Sequence, residues 1–112
     1  MIRARDMAVI STELQVKVLP GTYGRIATRS GMTLDHVTVE GGVVDADYRG
    51  PLKVILYNHS ASEYVIREGT RIAQLICQKI IYPRLREVSE MEDTARGSSG
   101  FGSSENPYQS LK

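Results

Sequence analysis

The sequence predicts an all-β domain, a sandwich or jelly-roll barrel with at most one short helix. Three observations carry that reading. Apolar residues recur with the period of a half-buried strand, as in Leu14, Val16 and Val18 against Gln15 and Lys17. The apolar runs are short and punctuated by Gly, Pro, Asp and Asn. Almost no stretch carries the repeat of an amphipathic helix, and short strands with turns between them favour a closed or layered β architecture.

In chain order, Met7 to Ile10 and Leu14 to Leu19 read as two short strands, followed by turn chemistry at Pro20-Gly21-Thr22-Tyr23-Gly24. Arg25 to Met32 reads as a brief strand ending in Arg-Ser-Gly, and Thr33 to His36 as the one helical turn. Val37 and Val39 lead into the stretch around which the chain is organised, Gly42-Val43-Val44-Asp45-Ala46-Asp47-Tyr48-Arg49-Gly50, followed by Pro51 and a strand from Leu52 to Tyr57. It reads as a hairpin: β-branched residues enter, Asp and Gly punctuate, and an alternating run leaves. Asn58 to Ser62 is then a loop, Glu63 to Ile66 a short strand and Arg67 to Thr70 a turn. Arg71 to Tyr82 has a period compatible with a helix, but its β-branched content and flanking turns favour a long strand closed by Pro83. The β-barrel domain is expected over residues 1–90. From 91 to 112 Gly and Ser dominate, which predicts a flexible C-terminal arm.

A chain of 112 residues supports one compact domain and hardly more. The net charge of +1 gives no global field for nucleic acid or a membrane surface, and neither is expected as a partner. Cys77 is the only cysteine, so no disulfide forms within the chain. With no apolar run of membrane length and no signal-like start, the expected location is intracellular, cytoplasmic or nuclear.

The candidate chemistry lies in four places. Asp45 and Asp47 in isolation would only solvate a turn, but a hydrophilic turn has no need of Tyr48. Arg29-Ser30-Gly31 offers a bidentate cation, a hydroxyl and an unhindered backbone N–H, an inventory suited to phosphate and also common in surface loops. Gln74 sits in a run that otherwise calls for burial, as a core-edge amide or as a ligand group. Arg96 to Ser104 combines a cation, a glycine-rich backbone and the only Phe of the chain, Phe101. Such a segment is a linker, or a lid whose ring stacks on a base, an interaction of about 1–3 kcal/mol. His36, His59 and Cys77 lack clustered donors and are read as structural or solvent-facing, so no metal ligands are assigned. There is no Walker loop and no dinucleotide-binding glycine pattern. Any phosphate site is assembled from loops.

Gly24 to Met32, Gly42 to Gly50, Gly69 to Leu75 and Arg96 to Ser104, in that order, resemble the second to fifth motifs of the homotrimeric dUTPase family. The resemblance runs from about Asp6 to Ser104. It implies a dUTPase-like jelly roll of the β-clip kind that trimerises, with active sites shared among subunits. The implied reaction is hydrolysis of dUTP to dUMP and pyrophosphate by water attack at the α-phosphorus, which keeps uracil out of DNA. Asp45 aligns with the residue that orients and deprotonates the water, a general-base role contributing about 10²–10⁴ in rate. Tyr48 would pack under the deoxyribose and leave no room for a 2′-hydroxyl. Backbone groups of Gly42, Val43, Val44 and Asp45 would read the uracil edge. Arg29, Ser30, Gly31 and Gln74 would hold the phosphates, helped by bridging Mg²⁺. Arg96 and Phe101 would close over the γ-phosphate and the base, with Gly102 and Ser103 supplying backbone contacts.

The sequence departs from the family pattern in places. The first motif, an Ala-Gly-Tyr-Asp-Leu type segment ahead of the first strands, is not found in these residues, and an exposed sheet edge is the expected consequence. Thr28 stands where Pro is usual, Thr70 where Asp is usual, and Ser99 and Glu105 where Gly is usual. Ser99 and Glu105 are expected to stiffen the lid. A second class of function follows: a catalytically weak or silent dUTPase-like module that binds nucleotide or protein. The related dCTP deaminases are disfavoured by Asp45-Ala46-Asp47-Tyr48-Arg49-Gly50. An unrelated structural β module leaves Arg29, Asp45, Gln74 and Arg96 unexplained.

Overall fold

A computed structural model of the chain describes residues 1–100. Among these residues the elements are β1 (Met7–Leu14), β2 (Thr22–Ala27), α1 (Ser30–Leu34), β3 (Val37–Glu40), β4 (Val43–Val44), β5 (Leu52–Asn58) and β6 (Gln74–Lys79). They form two antiparallel sheets, ordered β1-β5-β3 and β4-β2-β6. This is the all-β architecture with one short helix that the sequence predicts. The chain divides between Tyr82 and Pro83 into two units, and every strand belongs to the first. No helix among the described residues is long and apolar enough to cross a membrane.

Strand β5 shows why the first sheet forms. Leu52, Val54, Leu56 and Asn58 alternate inward, and the intervening residues face outward or stay half-buried. Leu56 pairs with Ala8 on one side and Val39 on the other. In the second sheet β2 is central, with Gly24 opposite both Val44 and Cys77. Ile26, Val44, Val18 and Met32 join Val37, Val54 and Leu56 in one core.

Several elements differ from the sequence reading. Leu14 to Leu19 is not a strand. β1 runs on to Leu14, where the pairing register slips after Ser11, Glu13 takes φ 60° and the Thr12 hydroxyl donates to the Leu52 carbonyl. That ends the ladder, because β5 begins at Leu52 and offers no partner beyond it. The alternation still does its packing work: Val18 is buried and Val16 lies against the core. Ser30 and Gly31 are in the first turn of α1 rather than at a strand end, since the Thr33 N–H reaches back to the Arg29 carbonyl at 3.1 Å. Glu63 to Ile66 reduces to a single bridge, Tyr64 with Ile2. The long run after Arg71 is strand only over β6, whose six residues are all exposed.

The largest difference concerns the organising stretch, which is not a hairpin. β3 pairs with β5, but β4 pairs with β2 in the other sheet. Gly41 and Gly42, at φ 64° and 92°, turn the chain out of one sheet and into the other.

Asn58 ties down the loop after β5. Its side chain is fully buried, its amide donates to the carbonyls of Ile2, Arg3 and Ser62, and its oxygen accepts from Ser60 N–H and Oγ. A buried amide satisfied on both ends is a specific lock. Replacing it should therefore cost as much as a core cavity. Denaturant unfolding at fixed protein concentration should show Leu56→Ala destabilised by about 2–5 kcal/mol through the cavity left at a fully buried site. The same measurement on Asn58→Ala should give a loss of about 3 kcal/mol, from carbonyls and Ser60 left without partners.

Candidate active site

The switch between sheets creates the first cavity. Gly42 lies directly on β2: its carbonyl accepts from Ile26 N–H at 2.8 Å, and a Cβ at this position would sit 2.6 Å from the Ile26 oxygen. Only glycine fits there. The segment from Gly42 to Asp45 consequently rests over Ile26 and walls a cavity of about 250 Å³ whose far side is Tyr48, Pro51 and Ile55. Most of this lining is apolar, and Asp45, Glu40 and Lys53 are its charged members.

The loop after β4 is held by its own hydrogen bonds. Tyr48 N–H donates to the Asp45 carbonyl at 3.1 Å, closing a turn that sets the carboxylate and the ring on the same short segment. The Tyr48 hydroxyl donates to the Pro51 carbonyl at 2.7 Å. The ring reaches it by crossing Gly50, where a Cβ would come within 2.5 Å of the hydroxyl oxygen. Arg49 folds back onto the Ala46 and Tyr48 carbonyls, and Gln15 donates to the Arg49 carbonyl. The turn that separates Asp45 from Tyr48 is thus fixed by backbone contacts rather than by salt bridges.

A second cavity, of about 380 Å³, lies at the start of α1. Arg29, Ser30, Gly31 and Gln74 all line it, the four residues to which the family resemblance gives the phosphates. Arg29 caps α1 in an extended conformation, which projects the next two residues along the groove. Gln74 stands opposite Ala27 in the β2–β6 ladder, and its Nε2 donates to the Thr28 carbonyl at 3.1 Å. Asp45 and Tyr48 line the first cavity and not this one, and the two cavities have no lining residue in common.

Three polar or charged groove residues were not singled out from the sequence as site residues: Arg71, Asp35 and Tyr64. Arg71 had a signal, as a second guanidinium three residues before Gln74. Asp35 and Tyr64 had none, because the bridge of Tyr64 to Ile2 brings them together across the fold. The Tyr64 hydroxyl donates to Asp35 Oδ2 at 3.2 Å. Burial raises the Tyr64 phenol above its ordinary value, and the hydrogen bond and charge of Asp35 add to that. In the first cavity Glu40 and Lys53 were likewise not anticipated.

Arg96 belongs to the second unit. There its Nε donates to the Ser99 carbonyl at 2.6 Å, in a turn where Gly97 N–H bonds to the Thr94 carbonyl and hydroxyl. Phe101, Gly102 and Ser103 lie outside the described residues.

Comparison with known proteins gives one consistent answer. The sequence model of the dUTPase family matches residues 1–105. The deoxyuridine 5′-triphosphate nucleotidohydrolase of Arabidopsis thaliana is 50% identical over 103 residues, covering 91% of this chain and 62% of the relative. The chain therefore spans somewhat under two thirds of the length of such relatives. Staphylococcus bacteriophage 80alpha dUTPase, solved with dUPNHPP, superposes with a TM-score of 0.79 at 30% identity, over 92% of this chain and 78% of that one. The dUTPase of phage phi11 of S. aureus, in a structure describing the coordination of a structural Mg(II) ion, gives 0.70 at 25% identity, over 82% and 78%. The chain belongs to the dUTPase family.

Proposed function

We propose that this chain acts as a dUTP diphosphatase, hydrolysing dUTP to dUMP and pyrophosphate. The observation that supports this most is the chemical division between the two cavities. One is a small, mostly apolar recess that also carries two carboxylates, a lysine and a phenol ring, and the other is lined by two guanidinium groups, an amide and a hydroxyl beside the Asp35–Tyr64 pair. A nucleoside fits the first kind of site and a triphosphate, all acceptors, the second. Because the cavities share no residue, the reading calls for a site completed by another copy of the chain, and a homotrimer is the assembly we infer. The exposed strand β6, with Leu75 and Ile76, and the exposed Val43 offer apolar surface for such a contact.

In this reading backbone groups from Gly42 to Asp45 meet the uracil edge, and a cytosine amine would leave them mismatched. Tyr48, held by Pro51 and admitted by Gly50, lies under the deoxyribose where a 2′-hydroxyl would collide. Arg29, Ser30, Gly31, Arg71 and Gln74 bind the phosphates. The resemblance gives Arg96, Phe101, Gly102 and Ser103 a part in holding the γ-phosphate and the base; Arg96 is in the second unit and the other three lie outside the described residues. Asp45 accepts a proton from water as the water oxygen bonds to the α-phosphorus. The bond from that phosphorus to the α,β-bridging oxygen breaks, and pyrophosphate leaves with the bridging oxygen. Positioning and charge neutralisation supply most of the barrier reduction.

Among the described residues no three His, Cys, Asp or Glu side chains come together. No residue is assigned as a ligand of Mg²⁺, which when bound with the substrate would neutralise charge on the phosphates.

Pyrophosphate release from dUTP should fall by about 10²–10⁴ in kcat for Asp45→Asn, with the affinity for a non-hydrolysable dUTP analogue within a few-fold of the parent. Undiminished turnover in that variant overturns the base assignment. Analogue binding by the parent without any turnover would instead favour the silent nucleotide-binding module. Tyr48→Ala should raise kcat/KM for UTP relative to dUTP by about 10-fold or more, since the steric barrier to the ribose hydroxyl is gone.

A further inference from the structure

We propose that Thr28 is a positioning residue, whose hydroxyl sets the orientation of Gln74 and ties the phosphate groove to the nucleoside cavity. The inference rests on the reading of the groove given above. Thr28 follows β2 and makes two hydrogen bonds that point in different directions. Its hydroxyl accepts from the Val39 N–H at 2.9 Å, and its carbonyl accepts from Gln74 Nε2 at 3.1 Å. Val39 is on β3, the edge strand of the first sheet, and lines the nucleoside cavity; Gln74 starts β6 of the second sheet and lines the groove. One residue therefore joins both sheets at the point where the two cavities are built.

The direction of these bonds has a chemical consequence. A carbonyl oxygen is an acceptor only, so the Gln74 amide must turn its nitrogen toward Thr28. The same nitrogen carries a second hydrogen that can donate to a ligand oxygen in the groove that Gln74 lines. Reversal of the amide would present Oε1 to phosphate oxygens, acceptor against acceptor. The Thr28 carbonyl is kept in place because the peptide that carries it is anchored from the other side by Val39. β-Branching restricts the side chain to few rotamers, which makes the hydroxyl a stiff anchor rather than a transient one. A proline at this position would carry the carbonyl but not the hydroxyl, so the anchoring bond is a property of threonine here.

The test is a double-mutant cycle read by the dissociation constant of α,β-imido-dUTP and by kcat and KM for dUTP. Thr28→Val keeps the shape and removes the acceptor, and Thr28→Ala is a second removal should the first not fold. The expected result is affinity weakened about five-fold, in KM more than in kcat, with Thr28→Ser within two-fold of the parent. In a Gln74→Ala background, Thr28→Val should add nothing, because the group it positions is gone. An equal penalty in both backgrounds would overturn the inference and leave the groove's assignment standing. Unchanged affinity in Gln74→Ala alone would overturn the groove's assignment and the role of Thr28 together.

Discussion

The contact between Gly42 and Ile26 is the constraint on which the rest of the site depends. A backbone lying on a backbone, with no space for a Cβ, brings the chain across from the first sheet to the second within two residues. Had Val43 and Val44 paired with β5 instead of β2, Asp45 and Tyr48 would sit at the tip of an exposed hairpin. Crossing instead, the segment lays Val43 and Val44 beside β2 and leaves a recess between them and β5. The cavity is the residue of that crossover. Ile26, Val44 and Leu52 of its walls are core side chains drawn from both sheets, so that part of its shape is held by the same packing that stabilises the fold.

Rigidity is distributed unevenly between the two halves. The first cavity's side is fixed by local hydrogen bonds within a short loop, through Tyr48, Pro51, Arg49 and Ala46. The groove depends on long-range partners: Thr28 for Gln74, and Asp35 for Tyr64. Its guanidinium groups, Arg29 and Arg71, make no hydrogen bond or ion pair among the described residues. Unspent donors of this kind suit a ligand that brings its own negative charge, whereas the mostly apolar lining of the first cavity suits a neutral group.

Much of this was legible in the sequence, and the failures have identifiable causes. Alternation placed the strand from Leu52 to Tyr57 correctly, because burial on one face of a strand is a local signal. That Arg29, Ser30 and Gly31 share a cavity with Gln74 is long-range, and only the family resemblance grouped them. Leu14 to Leu19 failed because alternation reports which side chains go inward, and Val16 and Val18 do so without a strand to pair with. The supposed hairpin failed because two glycines state that the chain turns, not which sheet receives it. Asp35 and Tyr64 escaped notice because their proximity is made by tertiary structure alone.

The departures from the family pattern are better judged by what each residue does in place than by the residue it replaces. Thr28 gains a hydrogen bond to Val39 that proline lacks. Thr70 lies in a turn closed by its own N–H to the Arg67 carbonyl, with Gly69 at φ 86° supplying the left-handed residue, so the turn does not depend on a carboxylate at position 70. Ser99 was expected to stiffen the arm, yet the left-handed conformation falls to Gly97 at φ 56°, and Ser99 contributes its N–H and carbonyl to Arg96. Each of these three substitutions sits where the side chain is either useful or irrelevant to the backbone geometry, and Glu105 lies outside the described residues. A chain that varies there and keeps Asp45, Tyr48, Arg29 and Gln74 has changed its supports while retaining the groups that would meet the ligand.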